Sequence, residues 1–280
     1  MKNKWRFIQS ANYSPAENMA IDEAILIAHS EGKVPPTLRF YGWNPATLSI
    51  GYFQKSEEID LEAVKNKGIG FVRRQTGGRA VLHDQELTYS MIVSESYPGL
   101  PKTVNEAYRV LSQGLLYGFQ SLDLRAEMVN LATEEEKQKY ASASSSACFD
   151  SPSWYELVVE GRKIAGSAQT RQKGVVLQHG SILLEMDIDL LFDLLKYSNP
   201  KIKKRLKESF TKKAVAINDL RRDVSLDSVS LMEVEAAFKA GISKGMDIEL
   251  EEEQLTSYEL ELVDQLVEEK YGNDDWNYRK

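Results

Sequence analysis

The chain has 280 residues, 42% hydrophobic and 28% charged, with a formal net charge of −7; this is the composition of a soluble globular protein able to bury a large core, and its acidic balance argues against a nucleic-acid partner. Its single cysteine rules out an internal disulfide and points to a reducing compartment. No segment approaches 18 uninterrupted apolar residues and the first residues lack an apolar run of signal-peptide length, so the expectation is a cytoplasmic protein without a membrane partner.

In chain order, "WRFIQ" (5–9) reads as a first strand. Ser14-Pro15-Ala16-Glu17 is a capping box with proline at the first helical position. Ile21, Ala24, Ile25 and Ala28 follow at helical spacing, so 15–31 is predicted helical. Strands are expected at 37–43 and 46–53, joined by a tight Asn44-Pro45 turn. A short helix over 60–67, a strand at 70–74, a turn at "QTGG", and strands at 79–83 and 87–94 come next. Thr103 to Glu106 is a second capping box and opens a helix to about residue 121. Residues 132–147 are polar and of low complexity, which predicts a loop. "YELVVEG" and "RKIAGSAQTR" form a hairpin turning near Glu160-Gly161, and Lys173-Gly174 turns into "VVLQHGSILLEM". After Asp187 the pattern is mostly helical, with one short strand near 247–251.

Hairpin-linked strands with interspersed helices predict an α+β fold with a mostly antiparallel or mixed sheet flanked by helices. The expected organisation is a domain over residues 1–225 and a small, mostly helical C-terminal appendage over 226–280 packed on it.

Two stretches carry chemistry. In "RRQTGGRAVLHD" (73–84) a strand ends in two arginines before a glycine pair. Paired glycines let backbone approach a ligand closely, and an arginine beside exposed amides can hold a phosphate, a carboxylate or a thioester carbonyl. Strand alternation points Arg73 and Arg74 to opposite faces, so one of them is expected in a site. The second stretch, "SASSSACFDSPSWYELVVEGRKIAGSAQTR" (142–171), holds the lone thiol, Cys148. A thiolate can take an acyl group from a thioester donor and pass it to an amine, splitting one hard step into two. It needs a nearby positive charge, and Lys163 on the following strand is the candidate neighbour. There is no CxxC or HExxH, and His29, His83 and His179 are scattered, so no metal site is expected. His83 reads as a structural hydrogen bonder beside Asp84 that shapes the glycine turn. His179 reads as a satisfied core or pocket-lining histidine, and His29 as a helix-surface residue. The basic run "KIKKRLKESFTKK" (201–213) is either a solvated helix face or a docking patch for an acidic partner.

"RRQTGGRAVLHD" resembles the arginine–glycine–histidine signature of the biotin/lipoate protein ligase superfamily, and "GRKIAGSAQ" resembles its Lys-x-x-Gly-x-Ala motif at Lys163, Gly166 and Ala168. "NMAIDEAIL" (18–26) and "TLSIGYFQ" (47–54) are similar to the family's opening helix and next strand, so the likeness runs from about residue 5 to 215. The resemblance implies that superfamily's catalytic domain, acting on one lysine of small acidic carrier domains. It also implies substrate-binding roles for Arg74, Thr76, Gly77, Gly78, His83, Gly166 and Ala168. Arg79 stands where ATP-dependent ligases carry a third glycine, and no Asn-x-Asn follows His83-Asp84. The segment around Cys148 is instead similar to octanoyltransferases of the LipM type. That likeness implies octanoyl transfer from octanoyl-acyl carrier protein through a Cys148 thioester, with Lys163 activating the thiol, to a lipoyl-domain protein such as the glycine cleavage H protein, without a cofactor. Two alternatives stay open: an amidotransferase between lipoyl domains and an ATP-dependent lipoate ligase. A non-catalytic binder of carrier domains would tolerate loss of Cys148.

Overall fold

The computed structural model describes residues 3–130, 147 and 155–279. Strands β1 (Asn3–Tyr13), β2 (Thr37–Trp43), β6 (Glu86–Ser94), β10 (Ala165–Gln172), β11 (Val175–Leu183) and β12 (Ile248–Glu252) form one six-stranded sheet in the order β10-β11-β6-β2-β1-β12. The β10 to β2 half is antiparallel, whereas β1 runs parallel to both β2 and β12. A second sheet, β4-β3-β5, combines β3 (Thr47–Ile50), β4 (Gly70–Arg73) and β5 (Val81–His83). A third, β7-β8-β9, combines β7 (Ala126–Asn130), β8 (Tyr155–Val159) and β9 (Arg162–Lys163). The expected mixed-sheet α+β fold is therefore present.

Helix α1 (Pro15–Ser30) starts at the predicted capping box, with Ser14 accepting from the Glu17 amide and Glu17 accepting from the Ser14 amide. Its buried face, including Ile21, Ala24 and Ile25, covers one side of the large sheet with Leu177 and Ile92. The opposite side is covered by α3 (Val104–Ser121), with Leu111, Leu115 and Phe119 against Phe40, Tyr89 and Val176. Short helix α2 (Leu61–Asn66), α4 (Ile188–Asp193) and the basic helix α5 (Pro200–Lys213) surround the second sheet through Val64, Phe192 and Phe210. Helix α6 (Ile217–Asp223) follows, and Ile217 and Leu220 join the core beneath α3.

Residues beyond 225 are woven into this frame. Helix α7 (Leu231–Met246) lies backbone to backbone on α3: a Cβ on Gly241 would fall 2.8 Å from the Gly118 Cα, and one on Gly245 2.7 Å from the Gly114 Cα. Strand β12 then completes the large sheet beside β1. Helix α8 (Ser257–Leu266) delivers Glu259 into a buried two-bond pair with Arg6. A last short helix, α9 (Asp274–Asn277), ends beside β4.

Three differences from the sequence reading are local. The strand expected over 46–53 stops at Ile50, because Gly51 turns the chain against the next loop. Strand β7 carried no clear alternation and was not foreseen. His29 is half-buried and bonds through Nδ1 to the Val34 carbonyl at 2.8 Å, so it joins α1 to the loop after it. The loop expected over 132–147 lies outside the described residues except for Ala147.

Candidate active site

The two sheets border a cavity that opens to solvent. Its floor crosses the large sheet from Gly166 and Ala168 on the edge strand β10, over His179 and Ser181, to Thr88 and Tyr41. Gly166, Ser181, Thr88 and Tyr41 lie in one register row. Four adjacent strands set that row at about 14 Å. The roof comes from the second sheet, through Ser49, Arg74, Val81 and His83, with Met19 of α1 and Trp43 closing the side. Much of this wall is apolar or bare backbone, the setting for a hydrocarbon chain with few polar fixing points.

The turn after β4 is built by the two arginines in different ways. Arg73 faces away from the cavity and is 1% exposed. It donates to the carbonyls of Gly51, Tyr52, Gln54, Trp276, Asn277 and Arg279, tying the C-terminal segment to the loop after β3. Arg74 faces the cavity, yet much of its guanidinium is spent on the turn itself. It donates to the carbonyls of Gly77 and Arg79, and to Ser49 Oγ at 3.1 Å. Gly78 has a φ of +94°, a conformation open to glycine. Gly51 lies so near the Gly77–Gly78 backbone that a Cβ there would fall 2.8 Å from the Gly78 carbonyl carbon.

Two polar chains stiffen the walls. In the first, Arg74 donates to Ser49, Ser49 bonds His83 Nε2 at 2.8 Å, and His83 Nδ1 bonds the Glu86 carboxylate at 2.6 Å. Glu86 also accepts from Thr88 and Ser181, and His83 stacks on Trp43 at 4.3 Å. His83 is thus a structural hydrogen bonder linked through Ser49 and Arg74 to the glycine turn, with Glu86 as its carboxylate partner. Strand β5 ends at His83, and Glu86 opens β6 with its carboxylate turned inward.

In the second chain, Asp22 accepts from Arg39, Tyr41, Ser90 and His179 Nδ1, while His179 Nε2 bonds Thr76 Oγ1 at 2.6 Å. Burial pushes the Asp22 carboxyl up, but the His179 hydrogen bond and the Arg39 charge outweigh it and leave it below its ordinary value. Burial holds the His179 imidazole below its own, against the pull of Asp22. A neutral His179 that donates to Asp22 and accepts from Thr76 fits both shifts. His179 is therefore a pocket-lining histidine with both nitrogens bonded.

Lys163 lies three residues before Gly166, on the short strand β9. Glu160 and Gly161 both have positive φ (52° and 73°), the requirement of a two-residue type I′ hairpin, which sets Val159 opposite Arg162 and Val158 opposite Lys163. Glu156, two residues along β8, thereby shares a face with Lys163. Its carboxylate meets Lys163 Nζ at 3.0 and 3.1 Å, with the side chains 3% and 11% exposed. The Lys163 carbonyl accepts from the Val215 amide, so the basic helix α5 runs straight into the lysine strand.

Of the sequence-predicted residues, Arg74, His83, Gly166 and Ala168 line the cavity. Thr76 is one hydrogen bond behind it through His179, and Gly77 is bonded to Arg74. Lys163 adjoins it through its strand. Cys148 lies outside the described residues; its covalent neighbour Ala147 is buried and bridges Ala80, which precedes the cavity residue Val81. Sequence reasoning missed Asp22, Ser49, Glu86 and Glu156, all buried polar residues. Polar residues inside otherwise apolar elements were the available signal, as with Asp22 between Ile21 and Ala24 or Glu156 before "LVV". Among the described residues no group of three metal-ligating side chains occurs, and no helix is long and apolar enough to cross a membrane.

Residues 14–241 match the family described as the lipoyl protein ligase A/B catalytic domain. The chain is 63% identical to a Brevibacillus brevis protein named octanoyltransferase LipM, covering 99% of each chain. It is 58% identical to the Bacillus subtilis protein of the same name, over 100% of this chain and 99% of that one. Among solved structures, a bi-partite lipoate protein ligase from Thermoplasma acidophilum, described with its E2 lipoyl domain, superposes with a TM-score of 0.80 at 27% identity. That match covers 99% of this chain and 96% of the other. A lipoate-protein ligase A bound with ATP gives 0.76, also at 27% identity, over 99% of each chain.

Proposed function

Because the chain belongs to the lipoyl protein ligase A/B catalytic domain family, in the group of LipM octanoyltransferases, we propose that it is an acyltransferase that moves an octanoyl group from octanoyl-acyl carrier protein to a lysine of a lipoyl-domain protein. The glycine cleavage H protein is the acceptor of choice, and the step belongs to lipoate biosynthesis. One observation carries the reading. Lys163 lies three residues before the cavity residue Gly166, and Ala147, the residue before Cys148, bridges Ala80, the neighbour of the cavity residue Val81.

In this reading the octanoyl chain occupies the cavity between the sheets. The Cys148 thiolate, stabilised by the Lys163 ammonium, attacks the donor's thioester carbonyl. The carbonyl carbon–sulfur bond to the carrier breaks, and the carrier thiolate takes up a proton. The amide groups around Gly77 and Gly78 serve the tetrahedral oxyanion. The acceptor lysine, as its free amine, then attacks the Cys148 thioester, the C–S bond breaks as the amide forms, Cys148 leaves as thiolate and the proton lost from nitrogen passes to solvent. Transfer between thioesters of equal energy, then to an amide, runs downhill without ATP. Lys201, Lys204, Arg205 and Lys212 are exposed on α5, which ends at the Lys163 strand. They are proposed as the docking face for the acidic carrier.

The test is transfer from octanoyl-acyl carrier protein to a lipoyl domain with ATP omitted. Octanoyl amide on the domain is expected. Product only from an octanoylated lipoyl domain would make the chain an amidotransferase. Product only with ATP and free acid, with pyrophosphate release, would make it a ligase.

A further inference from the structure

Strand β4 is an edge of its sheet, paired with β3 on one side only. On that side the Arg74 amide donates to the Ile50 carbonyl at 3.0 Å. The backbone groups of Arg73, the last residue of β4, need partners from elsewhere, because a buried amide or carbonyl left unpaired is costly. Two side chains from the far end of the chain supply them. Asn277 Oδ1 accepts from the Arg73 amide at 2.8 Å, and the Trp276 indole donates through Nε1 to the Arg73 carbonyl at 2.8 Å. Asn277 is 6% exposed and is itself anchored, donating through Nδ2 to the Tyr271 carbonyl at 2.8 Å. The Trp276 ring meets Tyr271 and Tyr52 edge-on, at 5.8 Å from each. Packing alone would need only that ring; the hydrogen bonds select the two backbone groups next to Arg74.

We propose that Trp276 and Asn277 are positioning residues, which hold the Arg73–Arg74 peptide and thereby set where the glycine turn stands over the cavity. The inference deepens the acyl-transfer reading above. The Arg73 carbonyl belongs to the peptide that carries Arg74, and the Arg74 guanidinium in turn holds the carbonyls of Gly77 and Arg79. The same C-terminal segment grips the turn from its other side. Arg279 lies over the Tyr52 ring, 3.8 Å from its centre, and donates to the Tyr52 carbonyl at 3.0 Å. The Tyr52 amide donates to the Thr76 carbonyl at 2.8 Å. Both grips on the turn, at Arg74 and at Tyr52, therefore lead to residues 276–279. Neither Trp276 nor Asn277 lines the cavity. Their loss acts through the turn, so it lowers the rate of the chemical step and leaves substrate affinity in place.

The experiment uses two variants of the full chain. Trp276→Phe removes the indole N–H and keeps an aromatic ring; Asn277→Ala removes both bonds of the carboxamide. Initial rates of transfer from octanoyl-acyl carrier protein to a lipoyl domain are compared with wild type and with Gly241→Ala, which strains the α3–α7 contact on the opposite side of the large sheet. Both variants are expected to show kcat lowered about tenfold with KM for the donor unchanged, while Gly241→Ala keeps the wild-type kcat. Hydrogen exchange reads the same hold without substrate: the Arg74 and Tyr52 amides should exchange about tenfold faster in both variants. A folded variant with wild-type kcat, or with those two amides exchanging at the wild-type rate, would overturn the inference. So would a loss of kcat in Gly241→Ala equal to theirs, since the effect would then be general loosening. If Asn277→Ala does not fold, Trp276→Phe decides alone. A wild type that transfers no octanoyl group, beside variants that still exchange faster, would overturn the acyl-transfer reading and leave the hold on the turn standing.

Discussion

Replacing Gly51 with alanine tests whether the glycine turn must sit where it does. A Cβ at Gly51 would lie 2.8 Å from the Gly78 carbonyl carbon and 3.1 Å from that of Gly77, closer still to the Gly78 oxygen, whereas ordinary contact begins at 3.4 Å. All three atoms are backbone, so no side chain can swing aside. The turn must retreat by at least about 0.6 Å at the carbon and by more at the oxygen, roughly 1 Å overall, and misplacement by about 1 Å costs on the order of 10²-fold in rate. Overpacking of this kind costs about 1–3 kcal/mol of stability, a melting shift of several degrees for a chain of this size. The expected Gly51→Ala protein is therefore folded at 25 °C, with kcat/KM for octanoyl transfer reduced about 10- to 100-fold. Thermal melting and initial-rate transfer assays on one preparation separate the two effects. Full activity in a folded Gly51→Ala protein would refute the reasoning, because the turn would then tolerate displacement.

Three further outcomes follow from the same structure. Gly241→Ala places a methyl group 2.8 Å from the Gly118 Cα, so α7 must lift off α3; helix propensity returns up to ~1 kcal/mol, and denaturant titration should still show a net loss of about 1–2 kcal/mol. Acidification should lower the melting temperature: His179 is held below its ordinary 6.5 and Asp22 below its ordinary 3.8, so the unfolded chain binds protons first. Stability is then complete above about pH 6.5, declines below it as the neutral histidine's contribution is lost, and declines again below about pH 4; a melting scan that stays flat from pH 7 to 5, or that His179→Gln leaves unaltered, would contradict the network. Reversing Lys201, Lys204 and Lys212 to glutamate should lower kcat/KM for the protein donor about tenfold, less so at high salt, while a small octanoyl thioester is used unchanged.

The fold was legible where local chemistry dominates. The capping box of α1 and the Thr103 N-cap of α3 mark their starts, although the Glu106 carboxylate turns to Arg109 and Tyr155 rather than closing a second box, and the alternation of β6 marks a strand. The places of strand β12 and helix α7 were harder to see, because they depend on partners far away in the chain, Ile248 beside Asn3 and Gly241 against Gly118. The site divided similarly. Gly77, Gly78, Lys163 and Gly166 stand out as motif residues, and the outward and inward roles of Arg73 and Arg74 follow strand alternation once one knows which face is roofed. Asp22, Glu86 and Glu156 did not stand out, since a lone acidic residue in an apolar run gives no hint of its partner. Lys163 finds Glu156 through a hairpin turn, but Asp22 finds His179 only after α1 is laid on the large sheet.

The central claim is that the acyl group passes through Cys148. Its most direct measurement is the intact mass of the protein after mixing with octanoyl-acyl carrier protein without ATP, wild type beside Cys148→Ala. The account predicts an octanoyl adduct on wild type alone, removed by hydroxylamine and discharged by added lipoyl domain. Octanoyl transfer by Cys148→Ala at the wild-type rate would contradict it.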